Sequence, residues 1–210
     1  MSAPKEKSTR QRILHMLKVQ GPLSAREITA ELGITEMAVR RHLATLEKDG
    51  HIATSEIRQT AGRPSAVFGL TDSGEGLFPK TYPKVTLDLL GELAEESGEE
   101  MIDLLFERRR NKLHQRYATE MKGKDLAGRV RSLARIQNDN GYMTELMEVE
   151  EGFVLKEYNC PISEVADAYG QACRCELELF QSLLEVSVSR TECLAKGGRC
   201  CTYKISSCEN

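Results

Sequence analysis

Seven cysteines carry the most distinctive chemistry in the chain. Cys160, Cys173, Cys175, Cys193, Cys200, Cys201 and Cys208 all fall in the last quarter, and the preceding residues contain none. Thiols clustered in this way in a reducing compartment serve as metal ligands or redox groups more often than as structural disulfides, and an odd count argues against a closed disulfide framework. Soft sulfur donors select zinc, copper(I) or iron–sulfur clusters over hard cations. All four histidines, His15, His42, His51 and His114, lie upstream. That removes mixed Cys/His zinc patterns and leaves an all-cysteine zinc site open. No C-x-x-C knuckle is present, and the wide intervals between Cys160, Cys173 and Cys201 favour a larger centre such as a 4Fe–4S cluster. A cysteine enzyme is disfavoured: no histidine lies nearby to act as base, and there is no redox dithiol motif, glycine-rich phosphate loop or paired acid motif.

The elements that must hold these thiols read as a small α+β domain over residues 140–210. Tyr142–Glu150 and Gly152–Tyr158 alternate like a hairpin turning at Glu151-Gly152. Pro161–Tyr169 and Gly170–Leu184 read as helices, and Val186–Glu192 and Cys201–Ile205 as two more strands of an antiparallel sheet. Cys160 then follows a strand, Cys173 opens a helix and Cys201 begins a strand, so three thiols from separate element ends can converge without sacrificing core positions. Cys175 and Cys200 read as buried or spare thiols, and Cys208 as an exposed one near the end.

Upstream, residues 73–139 read as a helical region for pairing. Val85 to Leu93 form one run after a Tyr82-Pro83 break, Glu99 to Met121 a long helix, and Asp125 to Asn138 a third. Arg108-Arg109-Arg110 on the long helix reads as a solvated face rather than a nucleic-acid contact. Residues 1–72 differ in kind. Thr9 caps a helix reaching Val19. Ser24, with Glu27 three residues on, opens a short helix that Gly33 ends, and Thr35 caps a longer helix to Lys48. Val39, Leu43 and Leu46 form its buried stripe. A hairpin follows, His51–Arg58 and Ala66–Leu70, with Gly62-Arg63-Pro64 at its tip. Short helix, turn, longer helix and hairpin make a winged helix-turn-helix. The outer side of the longer helix offers Met37, Arg40 and Arg41 to a major groove, Arg63 to the adjacent minor groove, and Thr35 with the helix amino terminus to a phosphate.

Charge supports this division. Residues 1–72 hold 11 basic and 8 acidic side chains, a net +3, whereas the remainder holds 18 basic and 24 acidic, a net −6. A small basic module on a larger acidic one suits binding to a polyanion. With 40% hydrophobic residues the chain can build real cores. No run approaches the roughly 18 apolar residues of a membrane span, and the start MSAPKEKSTRQRILHML lacks the apolar run of a signal peptide. The expectation is therefore a cytoplasmic protein with no membrane partner, α+β and mostly helical.

The first third resembles the winged helix of bacterial ArsR- and DeoR-type transcription regulators. The residues concerned are Ile34-Thr35 to Leu43, Leu46 to Ile52, and Gly62-Arg63-Pro64 leading to Phe68-Gly69-Leu70-Thr71-Asp72-Ser73-Gly74. In the last third, Asn159-Cys160-Pro161, Cys173, Glu176, Phe180, Arg190-Thr191-Glu192 and Gly198-Arg199-Cys200-Cys201-Thr202-Tyr203 resemble the SufR-type iron–sulfur regulators. That resemblance implies a homodimer on a palindromic double-stranded DNA operator, acting as a repressor of cluster-assembly genes when loaded with a 4Fe–4S cluster. It also implies Cys160, Cys173 and Cys201 as cluster ligands. Where some members of the family carry a further cysteine, this chain has Ser187. Cys193 is the nearest substitute and the choice for fourth ligand; Cys175, Cys200, Glu192 or an external ligand are the alternatives. A zinc-stabilised or thiol-switch carboxy-terminal domain is the competing reading.

Overall fold

The computed structural model describes residues 8–57 and 65–206, which divide into two compact units, Met1–Lys80 and Thr81–Asn210. The architecture is α+β and mostly helical, as the sequence implies.

The first unit contains α1 (Thr9–Gln20), β1 (Leu23–Ser24), α2 (Ala25–Leu32), α3 (Glu36–Lys48), β2 (Ile52–Ile57), β3 (Ser65–Leu70) and the single turn α4 (Asp72–Glu75). The cap of α1 is Ser8 rather than Thr9: its side chain accepts from the Gln11 amide, and the Gln11 side chain accepts from the Ser8 amide in return. Ser24 and Glu27 form the reciprocal box expected for α2. Each box satisfies two amide donors that have no partner inside the helix. Gly33 ends α2 at φ 68°, a left-handed conformation that a side chain disfavours, and this lets the chain turn directly into α3. Ile13, Ile28, Val39, Leu43, Leu46 and Ile52 meet in one core, each almost completely buried. At roughly 1.5–3 kcal/mol per large aliphatic side chain, this burial, more than the caps, fixes the angle between α2 and α3.

The sheet of this unit has three strands in the order β1-β3-β2, all antiparallel. The two-residue strand β1 is not visible in the sequence, because Leu23↔Phe68 and Ser24↔Val67 are too few residues to show a period. The base of the wing is fixed by Thr71, whose hydroxyl donates to Gly50 O at 2.6 Å and accepts from Gly74 N at 3.1 Å. Gly74 packs so tightly that a Cβ there would lie 2.0 Å from His51 O.

The second unit contains α5 (Tyr82–Ser97), α6 (Glu99–Met121), α7 (Leu126–Asp139), β4 (Thr144–Val149), β5 (Gly152–Glu157), α8 (Ser163–Ala168), α9 (Gln171–Leu184), β6 (Val188–Glu192) and β7 (Cys201–Ser206). A 3₁₀ turn, Leu194–Lys196, joins β6 to β7 and has no counterpart in the sequence reading. Tyr82-Pro83 starts α5 instead of breaking the chain before it, because proline fits a first turn where its missing amide has no partner to lose. The strands pair in the order β4-β5-β7-β6, entirely antiparallel. Helices α6, α7 and α9 pack with this sheet around Val130, Leu133, Leu155, Phe180, Leu184 and Tyr203. The helices over 82–139 thus share a compact unit with the cysteine-bearing sheet, and the two units divide between Lys80 and Thr81. No helix among the described residues is long and apolar enough to cross a membrane.

Candidate functional site

Helix α3 starts where Thr35 accepts from the Ala38 amide at 3.3 Å, so the Thr35 hydroxyl is engaged as a cap. With Val39, Leu43 and Leu46 turned inward, the opposite side shows Met37, 83% exposed, together with exposed Arg40, Arg41 and Ala44. Arg40 is not free on this face. Its Nε and Nη2 donate to Glu36 Oε1 at 2.8 and 2.6 Å, an i,i+4 pair that lays the guanidinium along the helix. Arg41 forms no ion pair among the described residues. His42 is half-buried beside the apolar stripe. Arg63, expected at the wing tip, lies outside the described residues.

A family model described as "HTH domain" matches residues 9–63. The first unit is a winged helix-turn-helix domain. Several solved structures are similar to the chain. A cysteine-to-serine mutant of ZitR from Lactococcus lactis is 24% identical over 50% of this chain and 71% of its own, with a TM-score of 0.29. NMB1585, a MarR family regulator from Neisseria meningitidis, is 18% identical over 64% and 78%, TM-score 0.30. PadR of Bacillus subtilis in complex with operator DNA is 16% identical over 86% and 98%, TM-score 0.30. No curated protein matches the chain. What carries weight beside the winged helix-turn-helix is the chemistry of the second unit.

The thiols there come from separate elements. Cys160 lies in the β5–α8 connection, Cys173 in the first turn of α9, Cys193 immediately after β6 at the head of the 3₁₀ turn, and Cys201 at the first position of β7. The six described cysteines are all free thiols, and Cys208 lies outside the described residues. Cys173 and Cys193 lie near enough for each thiol to feel the other's charge, and Cys193 in turn interacts electrostatically with Cys201. The Leu194 amide donates to Cys201 Sγ at 3.4 Å. Cys160 packs with Cys173 against the cluster around Ile102 and Phe106, and shares with Cys173 and Cys201 the electrostatic influence of Glu176. Among the described residues, no three His, Cys, Asp or Glu side chains already converge on a point that one metal ion could fill.

Two of the alternatives for fourth ligand are engaged with each other. The Cys200 thiol donates to Glu192 Oε2 at 3.3 Å, and the same carboxylate accepts from the Arg199 amide at 2.8 Å and the Thr202 hydroxyl at 3.3 Å. The Arg199 amide, with the Cys200 thiol and Thr202 hydroxyl, holds Glu192 below the usual carboxylate range. Cys175 is buried on the side of α9 that faces Phe106. Cys193 is therefore the additional cysteine the fold brings to Cys173 and Cys201. Its position depends on Gly198, whose amide donates to Cys193 O at 3.0 Å and where a Cβ would lie 2.8 Å from that oxygen. Gly198 is a residue whose role the sequence reading missed; only the Gly197-Gly198 pair signalled a tight turn.

A buried polar layer beneath the thiols was also missed. Glu157 is 1% exposed, and its Oε1 accepts from Gln137 Nε2 at 2.8 Å while Oε2 has no hydrogen-bond partner among the described residues. Glu176 accepts from the Tyr203 hydroxyl at 2.8 Å, with the Tyr142 hydroxyl also near enough to favour its carboxylate. Arg190 anchors the layer by donating to Cys173 O at 2.9 Å. Burial, then the charge of Glu176, pushes Glu157 up to about 9; burial also raises Glu176, against the stabilising hydroxyls of Tyr203 and Tyr142.

The thiols respond to the same environment. Burial, then repulsion from Cys193, pushes Cys173 up to about 12, and burial, opposed by the Leu194 amide, pushes Cys201 up to about 12. Cys160 is raised too, chiefly by burial. Such thiols are protonated and unreactive at neutral pH, because nucleophilic or exchanging cysteines need a lowered pKa. They become thiolates when a cationic centre repays the desolvation. A donor set of soft sulfur drawn from separate elements suits a soft metal ion or an iron–sulfur centre.

Proposed function

We propose that the chain is a DNA-binding transcription regulator, a repressor, whose operator affinity is set by a 4Fe–4S cluster held in its second unit. What supports this reading is that Cys173, Cys193 and Cys201, from a helix, a turn and a strand, are near enough to influence one another electrostatically, with Cys160 packed in the same apolar cluster as Cys173. The winged helix-turn-helix supplies the DNA contact, with Met37, Arg40 and Arg41 on the groove face, and Arg63 and Thr35 assigned to the minor groove and a phosphate.

Cys160, Cys173, Cys201 and Cys193 would hold the cluster. A bound 4Fe–4S cluster supplies a redox- and iron-sensitive cross-link between the β5–α8 connection, α9, the 3₁₀ turn and β7. The residues around it do the rest. Each thiol gives up a proton on ligation, so loading is opposed by acid. Arg190 fixes the first turn of α9 through the Cys173 carbonyl, and Gly198 holds the Cys193 loop closed. Losing the cross-link would free these segments and shift the conformational equilibrium of the second unit, and with it the geometry that two subunits present to DNA. The chain acts by binding and carries out no catalytic step.

The DNA partner is a palindromic duplex read by a homodimer. In support, α5 packs Leu90, Leu93 and Ala94 on one side and leaves Tyr82, Val85 and Leu89 exposed by 73%, 51% and 66%, with Leu104 on α6 also exposed. That apolar face is what a second copy would cover. Anaerobic purification tests the proposal: a brown protein with visible absorbance lost on exposure to oxygen supports it, and a colourless protein containing zinc replaces the cluster by a structural ion.

A further inference from the structure

The Arg108-Arg109-Arg110 run, read from sequence as a solvated face, lines a cavity of about 670 Å³ within the second unit. Arg110 is neutralised by Glu178. The others are not: Arg108, Lys112 and Arg116 follow each other at i,i+4 spacing, are exposed, and form no ion pair among the described residues. Like charges at that spacing destabilise a helix, so this stripe opposes the folding of α6 unless something anionic occupies it. Arg109, on the same wall, lies close enough to Glu176 to stabilise its carboxylate.

The cavity is concave and two-sided. Leu105, Leu113, Leu179, Phe180, Pro161 and Ile162 supply an apolar wall. Gln137, Asn140, Tyr142 and Glu176 supply polar groups at its other side. Its volume lies within the ~300–1,000 Å³ typical of small-molecule sites, and its lining joins an apolar wall to a strongly cationic one. A phosphate backbone would use the basic side chains but has no apolar body to set against the leucines.

We infer that this cavity is a binding site for a small organic anion, a carboxylate or sulfonate on an apolar or aromatic body, with its charge against Arg109 and Arg116 and its body against Leu105, Leu113 and Phe180. The wall helix α9 also carries Cys173, so an occupant packs against the helix that bears this thiol. The inference does not require a bound cluster.

The test is isothermal titration calorimetry of the anaerobically isolated full chain with 1-anilinonaphthalene-8-sulfonate, and with its uncharged relative N-phenyl-1-naphthylamine. One saturable site per chain is expected for the sulfonate. The double variant Arg109→Gln/Arg116→Gln weakens the sulfonate by about tenfold or more and leaves the neutral probe within about twofold, since it removes charge-assisted contacts only. Leu105→Ser weakens both. Near-UV circular dichroism confirms that each variant is folded, and single substitutions replace the double variant if it is not. Absence of saturable binding, or equal affinity for the sulfonate before and after arginine removal, overturns the proposal. Displacement of the sulfonate by a random-sequence duplex at equal charge concentration overturns it as well, by making the stripe a nucleic-acid contact.

Discussion

The buried carboxyl of Glu157 makes the folding of the second unit depend on pH in a direction that can be worked out. The side chain is 1% exposed with a single hydrogen bond, from Gln137, so ionising it would leave a charge in the core with Oε2 unpartnered. Burial first and Glu176 second raise it from 4.5 to about 9. A carboxyl raised by folding keeps its proton in the native state where the unfolded chain has released it. The native state then binds more protons between about pH 5 and pH 9, and stability is greatest below that window and falls as pH rises through it. One proton of difference is worth about 1.4 kcal/mol per pH unit, so from pH 6 to pH 8 the unit loses about 3 kcal/mol through this group. Glu157→Gln keeps the shape and an acceptor for Gln137 while removing the ionisation. The thiols begin to titrate only at higher pH, and Glu176 is coupled to Glu157, so the difference between the two proteins reports the proton held by this carboxyl pair through Glu157. Urea unfolding followed by tyrosine fluorescence is the assay. The chain has no tryptophan, and all six tyrosines, Tyr82, Tyr117, Tyr142, Tyr158, Tyr169 and Tyr203, lie in the second unit, so the signal reports that unit alone. The expected result is a wild-type stability that falls more steeply than the variant's by about 1.4 kcal/mol per pH unit. Parallel pH dependences in the two proteins would refute the placement of Glu157 as a buried, protonated acid.

Other expectations follow from single contacts. Cys173→Ser abolishes visible absorbance of anaerobic protein while the first unit keeps its helical circular dichroism, whereas Cys200→Ser, whose thiol is turned to Glu192, retains the colour; loss in both variants would remove the distinction between the two thiols. Gly74→Ala forces a Cβ toward His51 O and destabilises the winged helix-turn-helix by several kcal/mol, about 3 or more, read as a lowered melting temperature of that unit. Arg41→Ala weakens duplex binding and lowers the salt slope by about 1, while Glu36→Gln releases Arg40 and strengthens binding severalfold, both measured by fluorescence anisotropy across salt concentrations.

The helices and strands were largely legible because their signals are local. Ser24 with Glu27, Thr35 before Glu36, and the apolar stripe of Val39, Leu43 and Leu46 announce α2 and α3 within a few residues. Helix α6 runs over Glu99–Met121 as its pattern implies. Strand β1 and the 3₁₀ turn were not legible, since two or three residues carry no period and are fixed by partners far along the chain. The thiol elements were legible one by one, but the Cys173–Cys193 contact depends on how β6 and α9 pack, and on Gly198 closing the loop. Glu157 alternates within β5 like any polar strand residue. Only the pairing of β5 with both β4 and β7, at the centre of the sheet, shows that it is buried. The arginines of α6 are largely exposed, as their sequence implies, and that they also line a cavity becomes visible only when α7 and α9 pack beside them.

The most direct measurement of the central claim is iron and acid-labile sulfide per chain in anaerobically isolated protein, together with affinity for a duplex selected from a random pool, before and after chelation of the iron. About four iron atoms and four sulfides per chain are expected, with a duplex affinity that drops by tenfold or more when they are removed. Protein that lacks iron and sulfide, or that binds the duplex equally well with and without them, would contradict it.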